Sequence, residues 1–200
     1  MVGMKLLLAS FLHPRMHEFF DGEVLYINDA VKNMDGAPFV EQERQTLVEC
    51  GQPTTEVSVA ELSNEEFNAL LERCSGVYVA SGESFVLLEA LKRDGNDRLL
   101  ASAVKAGLPY AGSSAGAVIA CPTIEYVRPM DEPAEDSNLT DFTGLGLVGH
   151  CIIPHAQGTL KPYPASMIGD MVQRYAADYQ LLLLRDGQAL LVDDDGEHLV

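Results

Sequence analysis

Gly112-Ser113-Ser114-Ala115-Gly116 is a G-x-S-x-G pentapeptide between an apolar run of strand length, Leu108 to Ala111, and a helix-forming stretch that starts at Ala115. In a strand-to-helix turn of this kind the middle serine sits on strained backbone, and small flanking residues let the two elements approach without a Cβ clash. The turn lifts the Ser114 hydroxyl into solvent at the carboxyl end of a sheet. It also leaves the Ala115 amide at a helix N-terminus, where a developing oxyanion can be stabilised. A serine nucleophile needs a base, and the base needs a group to orient it. Of the five histidines, His13 and His17 lie in an early polar loop, His198 is near the C-terminus, and His150 and His155 flank the apolar run Cys151 to Pro154. His155 follows that strand, on the edge where the loops of a parallel sheet build a site, whereas His150 precedes it. His155 is therefore the expected base. Asp186 follows the run Leu181 to Leu184 and falls on the same edge, although Arg185-Asp186-Gly187-Gln188 also reads as an ordinary turn whose Asp bonds its own backbone. Asp131 and Asp136 remain alternative acids. A second oxyanion donor is expected from a glycine turn on a neighbouring strand, and Gly82, after the run Gly76 to Ala80, supplies one.

The elements that must position these groups alternate. Apolar runs at Lys5–Phe11, Glu23–Ile27, Glu56–Val59, Gly76–Ala80, Leu108–Ala111, Cys151–Ile153, Leu181–Leu184 and Ala189–Val192 read as strands. Helical patterns separate most of them: Phe39 to Cys50, a stretch from Ser63 to Arg73 that opens on a Ser63/Glu66 capping box, Ser84 to Lys92, and Asp97 to Lys105. This alternation predicts an α/β fold with a mostly parallel sheet covered on both faces. The last two runs, separated by residues 185–188, are expected to form a hairpin. Arg128 to Ser137 breaks the rhythm with two prolines and several acids. It reads as a mobile surface loop, with Pro129 to Asp136 a candidate lid.

The 200 residues, 47% of them hydrophobic, suffice for one globular domain with a real core. Thirteen Lys and Arg against 30 Asp and Glu give a formal charge of −17, which repels phosphate backbones and anionic lipid and leaves no basic stripe for nucleic acid. Cys50, Cys74, Cys121 and Cys151 show no C-x-x-C spacing and read as reduced core residues. The apolar N-terminal run is stopped by His13-Pro14-Arg15, too short for a secretory segment, and no run approaches a membrane span. A cytoplasmic protein without membrane contact is expected.

Ala111-Gly-Ser-Ser114-Ala-Gly-Ala-Val-Ile-Ala-Cys-Pro-Thr-Ile124 resembles the nucleophile block of the dipeptidase E (aspartyl dipeptidase) and cyanophycinase family of serine peptidases. Three further blocks follow the family's order. Val79-Ala-Ser-Gly82-Glu-Ser-Phe85 stands where the family has a glycine run and Asn-Thr-Phe, Gly146 to His155 resembles the strand carrying its histidine, and Leu184-Arg-Asp186-Gly187 resembles the turn carrying its acid. The resemblance implies a three-layer α/β sandwich of the class I glutamine amidotransferase-like (flavodoxin-like) type, forming one peptidase domain over residues 1–200. It implies Ser114 as nucleophile, His155 as base, Asp186 as orienting acid, the Gly82 and Ala115 amides as oxyanion hole, and Glu83 and Ser84 as substrate contacts. It further implies a small peptide substrate, no cofactor or metal, and a monomer or homodimer. The chain order Ser, His, acid differs from that of α/β-hydrolases. Two departures bear on specificity: Glu83 replaces the family's asparagine and would repel an aspartyl side chain, and Tyr163 to Asp170 offers no arginine to receive one. Two other readings stay open: a binding module of the same fold with weakened catalysis, and an amidase or esterase for a non-peptide metabolite.

Overall fold

Four parallel strands of one sheet are buried at every described residue, and a strand can be so only when both faces of its sheet are covered. They are β1 (Leu6–Ala9), β2 (Val24–Ile27), β4 (Gly76–Val79) and β5 (Tyr110–Ser113), with the half-exposed β3 (Thr54–Val57) between β2 and β4 in sequence. A computed structural model describes residues 3–34 and 36–200. In it a short parallel sheet β6 (Cys151–Ile153) and β9 (Leu181–Leu183) lies apart from a seven-stranded sheet, and β7 (Thr159–Leu160) and β8 (Tyr163–Pro164) form a small antiparallel hairpin between them in the chain. The large sheet is completed by β10 (Ala189–Asp193) and β11 (Gly196–Leu199), in the order β11-β10-β1-β5-β4-β2-β3. Its five strands from β1 to β3 run parallel, and β10 and β11 are antiparallel additions at one edge. With its helices this is the α/β, mostly parallel, flavodoxin-like arrangement.

The helices are α1 (Pro38–Glu49), α2 (Asn64–Arg73), α3 (Ser84–Lys92), α4 (Asn96–Lys105), the one-turn α5 (Ala115–Val118) and α6 (Ala165–Tyr175). The capping box that opens α2 is present, with Ser63 Oγ accepting from the Glu66 amide and the Glu66 carboxylate accepting from the Ser63 amide at 2.9 Å. Such a box satisfies two N-terminal donors that the helix itself leaves without partners.

Several expectations need correction. Leu181–Leu184 and Ala189–Val192 do not pair with each other. β9 pairs with β6, while β10 crosses to the large sheet and lies beside β1, so residues 184–188 form a crossover. The hairpin at the end of the chain is β10 with β11 instead, and β11 is exposed throughout, which removed the apolar signal that marks a strand. The helix after the elbow stops at Val118. The acidic segment is pinned rather than free: Asp131 accepts from the Ser84 amide at the start of α3, and Glu89 of the same helix accepts from Ser137 Oγ at 2.7 Å and from the Asn138 amide at 3.0 Å. All four cysteines are free, but Cys50 and Cys74 are only partly buried. No helix among the described residues is long and apolar enough to cross a membrane.

Candidate active site

The end of β5 turns into α5 through Ser114, whose φ of 46° and ψ of −104° place it outside the ordinary allowed regions. Among the described residues only one other non-glycine residue has a positive φ, and it is His155 at 55°. Such strain persists only where surrounding contacts over-determine it, and it concentrates at functional sites. The contacts here are close. A Cβ on Gly112 would lie 2.4 Å from the backbone of Gly116, and one on Gly116 would lie 2.2 Å from the Val79 carbonyl, so the elbow admits only glycine at both places. The Ser114 amide donates to Ala9 of β1 at 3.0 Å and the Gly116 amide to Ala80 at the end of β4 at 3.1 Å, which locks the turn between two neighbouring strands.

Ser114 Oγ lies 3.1 Å from His155 Nε2, and His155 Nδ1 lies 2.7 Å from Asp186 Oδ1. The three residues are therefore brought together although they lie on three separate segments. His155 is buried, and the Tyr163 ring stacks on the imidazole with centroids 5.1 Å apart and planes 5° from parallel. Burial alone would raise the Asp186 carboxyl, but hydrogen bonds from His155 and Ser10, the His155 charge and a bond from Gln157 outweigh it and hold the group below its ordinary value. Asp186 is thus an ionised acceptor for the imidazole N–H.

Three groups in this arrangement were missed in the sequence. Ser10, fully buried just past β1, accepts from the His155 amide at 2.7 Å and donates to Asp186 Oδ1 at 2.8 Å. Gln157 donates to Asp186 Oδ2 at 2.6 Å and accepts from the Asp186 amide at 2.9 Å. Tyr163 is the third. Only Ser10 could have been suspected, because it too sits at the carboxyl end of a parallel strand.

The Gly82 and Ala115 amides lie on the two turns that face the nucleophile, and among the described residues neither has a hydrogen-bond acceptor. Gly82 has φ of 130°, and a Cβ there would lie 2.2 Å from the Ala30 carbonyl. Beneath both turns lies Glu43 of α1, fully buried. Its Oε1 accepts from Ser81 Oγ at 2.6 Å, the Ser81 amide at 3.1 Å and the Tyr78 hydroxyl at 2.6 Å; the Tyr78 oxygen is in turn 2.9 Å from Ser113 Oγ. Burial pushes the Glu43 carboxyl up, against the hydrogen bonds from Ser81 and Tyr78 that favour its ionised form.

The remaining candidates fall elsewhere. Glu83 accepts from Asn33 Nδ2 at 3.2 Å and its amide donates to Ala30, and Ser84 is buried under Asp131. The imidazole nitrogens are taken by Ser114 and Asp186, and Asp131 instead caps α3, where burial pushes it up to about 6. Asp136 is exposed. His150 pairs with Glu197 of β11 at 2.7 Å, and the Cys121 and Cys151 thiols are pushed by burial up to about 12 and about 11, which removes them as nucleophiles at neutral pH. Ser114, His155, Gly82 and Asp186 open on a cavity of about 700 Å3 lined by Phe11, Met34, Phe39 and by Leu160, Pro162 and Tyr163 of the β7–β8 hairpin, and no described residue of the acidic segment lines it. Among the described residues no group of three or more His, Cys, Asp or Glu is arranged to hold a metal ion.

The model of peptidase family S51 matches residues 8–200. An uncharacterised peptidase of Listeria innocua is 35% identical over 161 residues, spanning 78% of this chain and 74% of its own. An uncharacterised peptidase of Pasteurella multocida is 30% identical over 96% of this chain and 94% of its own. A crystal structure from Listeria monocytogenes, provisionally described as a peptidase E, superposes with a TM-score of 0.86 at 29% identity and covers 99% of this chain and 98% of its own.

Proposed function

Because the chain belongs to peptidase family S51, we propose that it is a serine peptidase of short peptides in which Ser114, His155 and Asp186 act as a triad and residues 1–200 work as one catalytic domain. The observation that carries this reading is the unbroken relay from Ser114 Oγ through the imidazole to Asp186, 3.1 Å and 2.7 Å long, with its first two members on the strained backbone that holds them there.

The chemistry follows from the atoms. His155 Nε2 takes the proton as Ser114 Oγ adds to the amide carbonyl, and Asp186 holds the Nδ1 proton and favours the imidazolium that forms. The carbonyl oxygen becomes an oxyanion, for which the free Gly82 and Ala115 amides are the donors; removing one such donor typically costs about 10²–10³ in kcat. His155 then gives the proton to the departing amine, and a water attacks the resulting acyl-Ser114 with the same histidine as base. The ring of Tyr163 fixes the imidazole plane, and Ser10 fixes its backbone.

Mass spectrometry after treatment with a fluorophosphonate tests the reading. Stoichiometric modification at Ser114, lost in Ser114→Ala and strongly slowed in His155→Ala, is the expected result. An unlabelled Ser114 in folded protein would mean that the serine is not activated and would leave a binding module of the same fold.

A further inference from the structure

The cavity beside Ser114 has an unusual balance of surfaces for a site that handles peptides. Its apolar walls are Phe11 after β1, Met34, Phe39, and Leu160, Pro162 and Tyr163 of the β7–β8 hairpin. Among the described residues lining it there is no lysine or arginine, and Asp186 is the one carboxylate. Two more acids stand nearby: Glu83 adjoins Gly82 and is tied to Asn33, next to Met34, and Asp131 is close enough to Glu83 and Tyr163 to act on both through its charge.

We infer that this cavity selects a large apolar side chain next to the scissile amide, of the leucine, methionine or phenylalanine class, and rejects an aspartyl or glutamyl one. The inference rests on the peptidase reading for the identity of the ligand as a short peptide. The volume of about 700 Å3 is in the range of small-ligand sites and takes a dipeptide with one bulky side chain. An apolar group there is removed from water against aromatic and aliphatic walls, whereas a second carboxylate would be desolvated beside Asp186 with no lysine or arginine among the described lining residues to pair it. Leu160, one of the lining residues, is 39% exposed, and a bulky ligand would shield it.

The test separates recognition from catalysis by using the Ser114→Ala protein, in which no turnover is needed. Titration calorimetry with Leu-Ala, Phe-Ala and Asp-Ala should show the first two binding at least about tenfold more tightly than the third, within the discrimination that apolar pockets achieve. Met34→Arg in the same background should narrow or reverse that ratio by giving the aspartyl carboxylate a partner. Asp-Ala binding as tightly as Leu-Ala, no binding of the apolar dipeptides at millimolar concentration, or a ratio indifferent to Met34→Arg would each overturn the inference. Retained preference in a protein whose wild-type serine resists fluorophosphonate would support the cavity assignment and overturn the peptidase one, so the two fail separately.

Discussion

Asp186 Oδ1 receives two hydrogen bonds, one from His155 Nδ1 at 2.7 Å and one from Ser10 Oγ at 2.8 Å, and these do different work. The bond from His155 selects the tautomer that leaves Nε2 free to take a proton. Asp186→Asn keeps the volume but presents an amide that can hold the wrong tautomer, and a loss of about 10⁴ in kcat is expected with KM little changed. Steady-state kinetics on a cleaved dipeptide check it, and a loss under tenfold would remove Asp186 from the triad. Ser10→Ala is a milder change of another kind. It strips a buried acceptor from the His155 amide, which should cost about 1–3 kcal/mol in urea unfolding. It also removes one of the bonds that keep Asp186 ionised. The sign of the linked pH effect follows: a carboxyl whose folded value is depressed stabilises the fold above its unfolded value, near 3.9, and that contribution disappears as pH falls through the folded value. Ser10→Ala should therefore shrink the acid-side loss of stability, because the folded and unfolded values move closer together.

The elbow after β5 and the turn after β4 are separate elements, and Glu43 of α1 ties them from below through Ser81 on one side and Tyr78 with Ser113 on the other. Glu43→Ala leaves three donors without their acceptor in a site that water does not reach, so a loss of about 3–5 kcal/mol is expected. If the protein still folds, kcat should fall more than KM rises, since the free Gly82 and Ala115 amides would lose their fixed spacing. Glu43→Gln keeps a carbonyl oxygen for the same donors and should restore most of both. Equal damage from Ala and Gln in urea midpoint and kcat would show that charge, not hydrogen bonding, is what Glu43 supplies. Helical spacing places Glu43 among Val40 and Leu47 on the buried face of α1, and an acid on such a face is itself a signal. Its partners could not be read from spacing, because Ser81 and Tyr78 are 38 and 35 residues away and meet it only through the packing of a helix on the sheet. The elbow was readable for the opposite reason: Gly112, Ser114 and Gly116 answer a local backbone demand. The crossover after β9 was not. Two apolar runs joined by Arg-Asp-Gly-Gln suit a hairpin and a change of sheet equally, and only the place open beside β1 decides between them.

At the scale of the whole molecule, order and strand type were readable because buried parallel strands demand continuous apolar runs, while β11, β7 and β8 escaped because they are largely exposed and short. The chain as a whole carries an imbalance of 30 acids over 13 bases, and two electrostatic costs of different range follow from it. The first is mutual repulsion across the surface, which salt screens as the Debye length falls from about 10 Å at 0.1 M to about 3 Å at 1 M. Adding NaCl to 1 M at pH 8 should raise stability by about 1–2 kcal/mol, or roughly 2–8 °C in Tm for a chain of this size. The second is local. Burial lifts Asp131 to about 6, so the folded protein keeps that proton over a range in which the unfolded chain, with a value near 3.9, has released it. Unfolding then releases a proton between about pH 4 and pH 6, which makes stability fall as pH rises through that window and level off above it. Asp131→Asn retains an oxygen for the Ser84 amide but cannot ionise, so the wild type should lose about 2 kcal/mol relative to this variant between pH 4 and pH 7. Because Asp131 lies inward against α3, that difference should persist in 1 M NaCl, where the surface repulsion is screened. Thermal unfolding of both proteins at the two pH values and two salt concentrations separates the effects: a salt-insensitive Tm at pH 8 would dismiss surface repulsion, and a wild-type to variant difference independent of pH would dismiss the buried proton on Asp131.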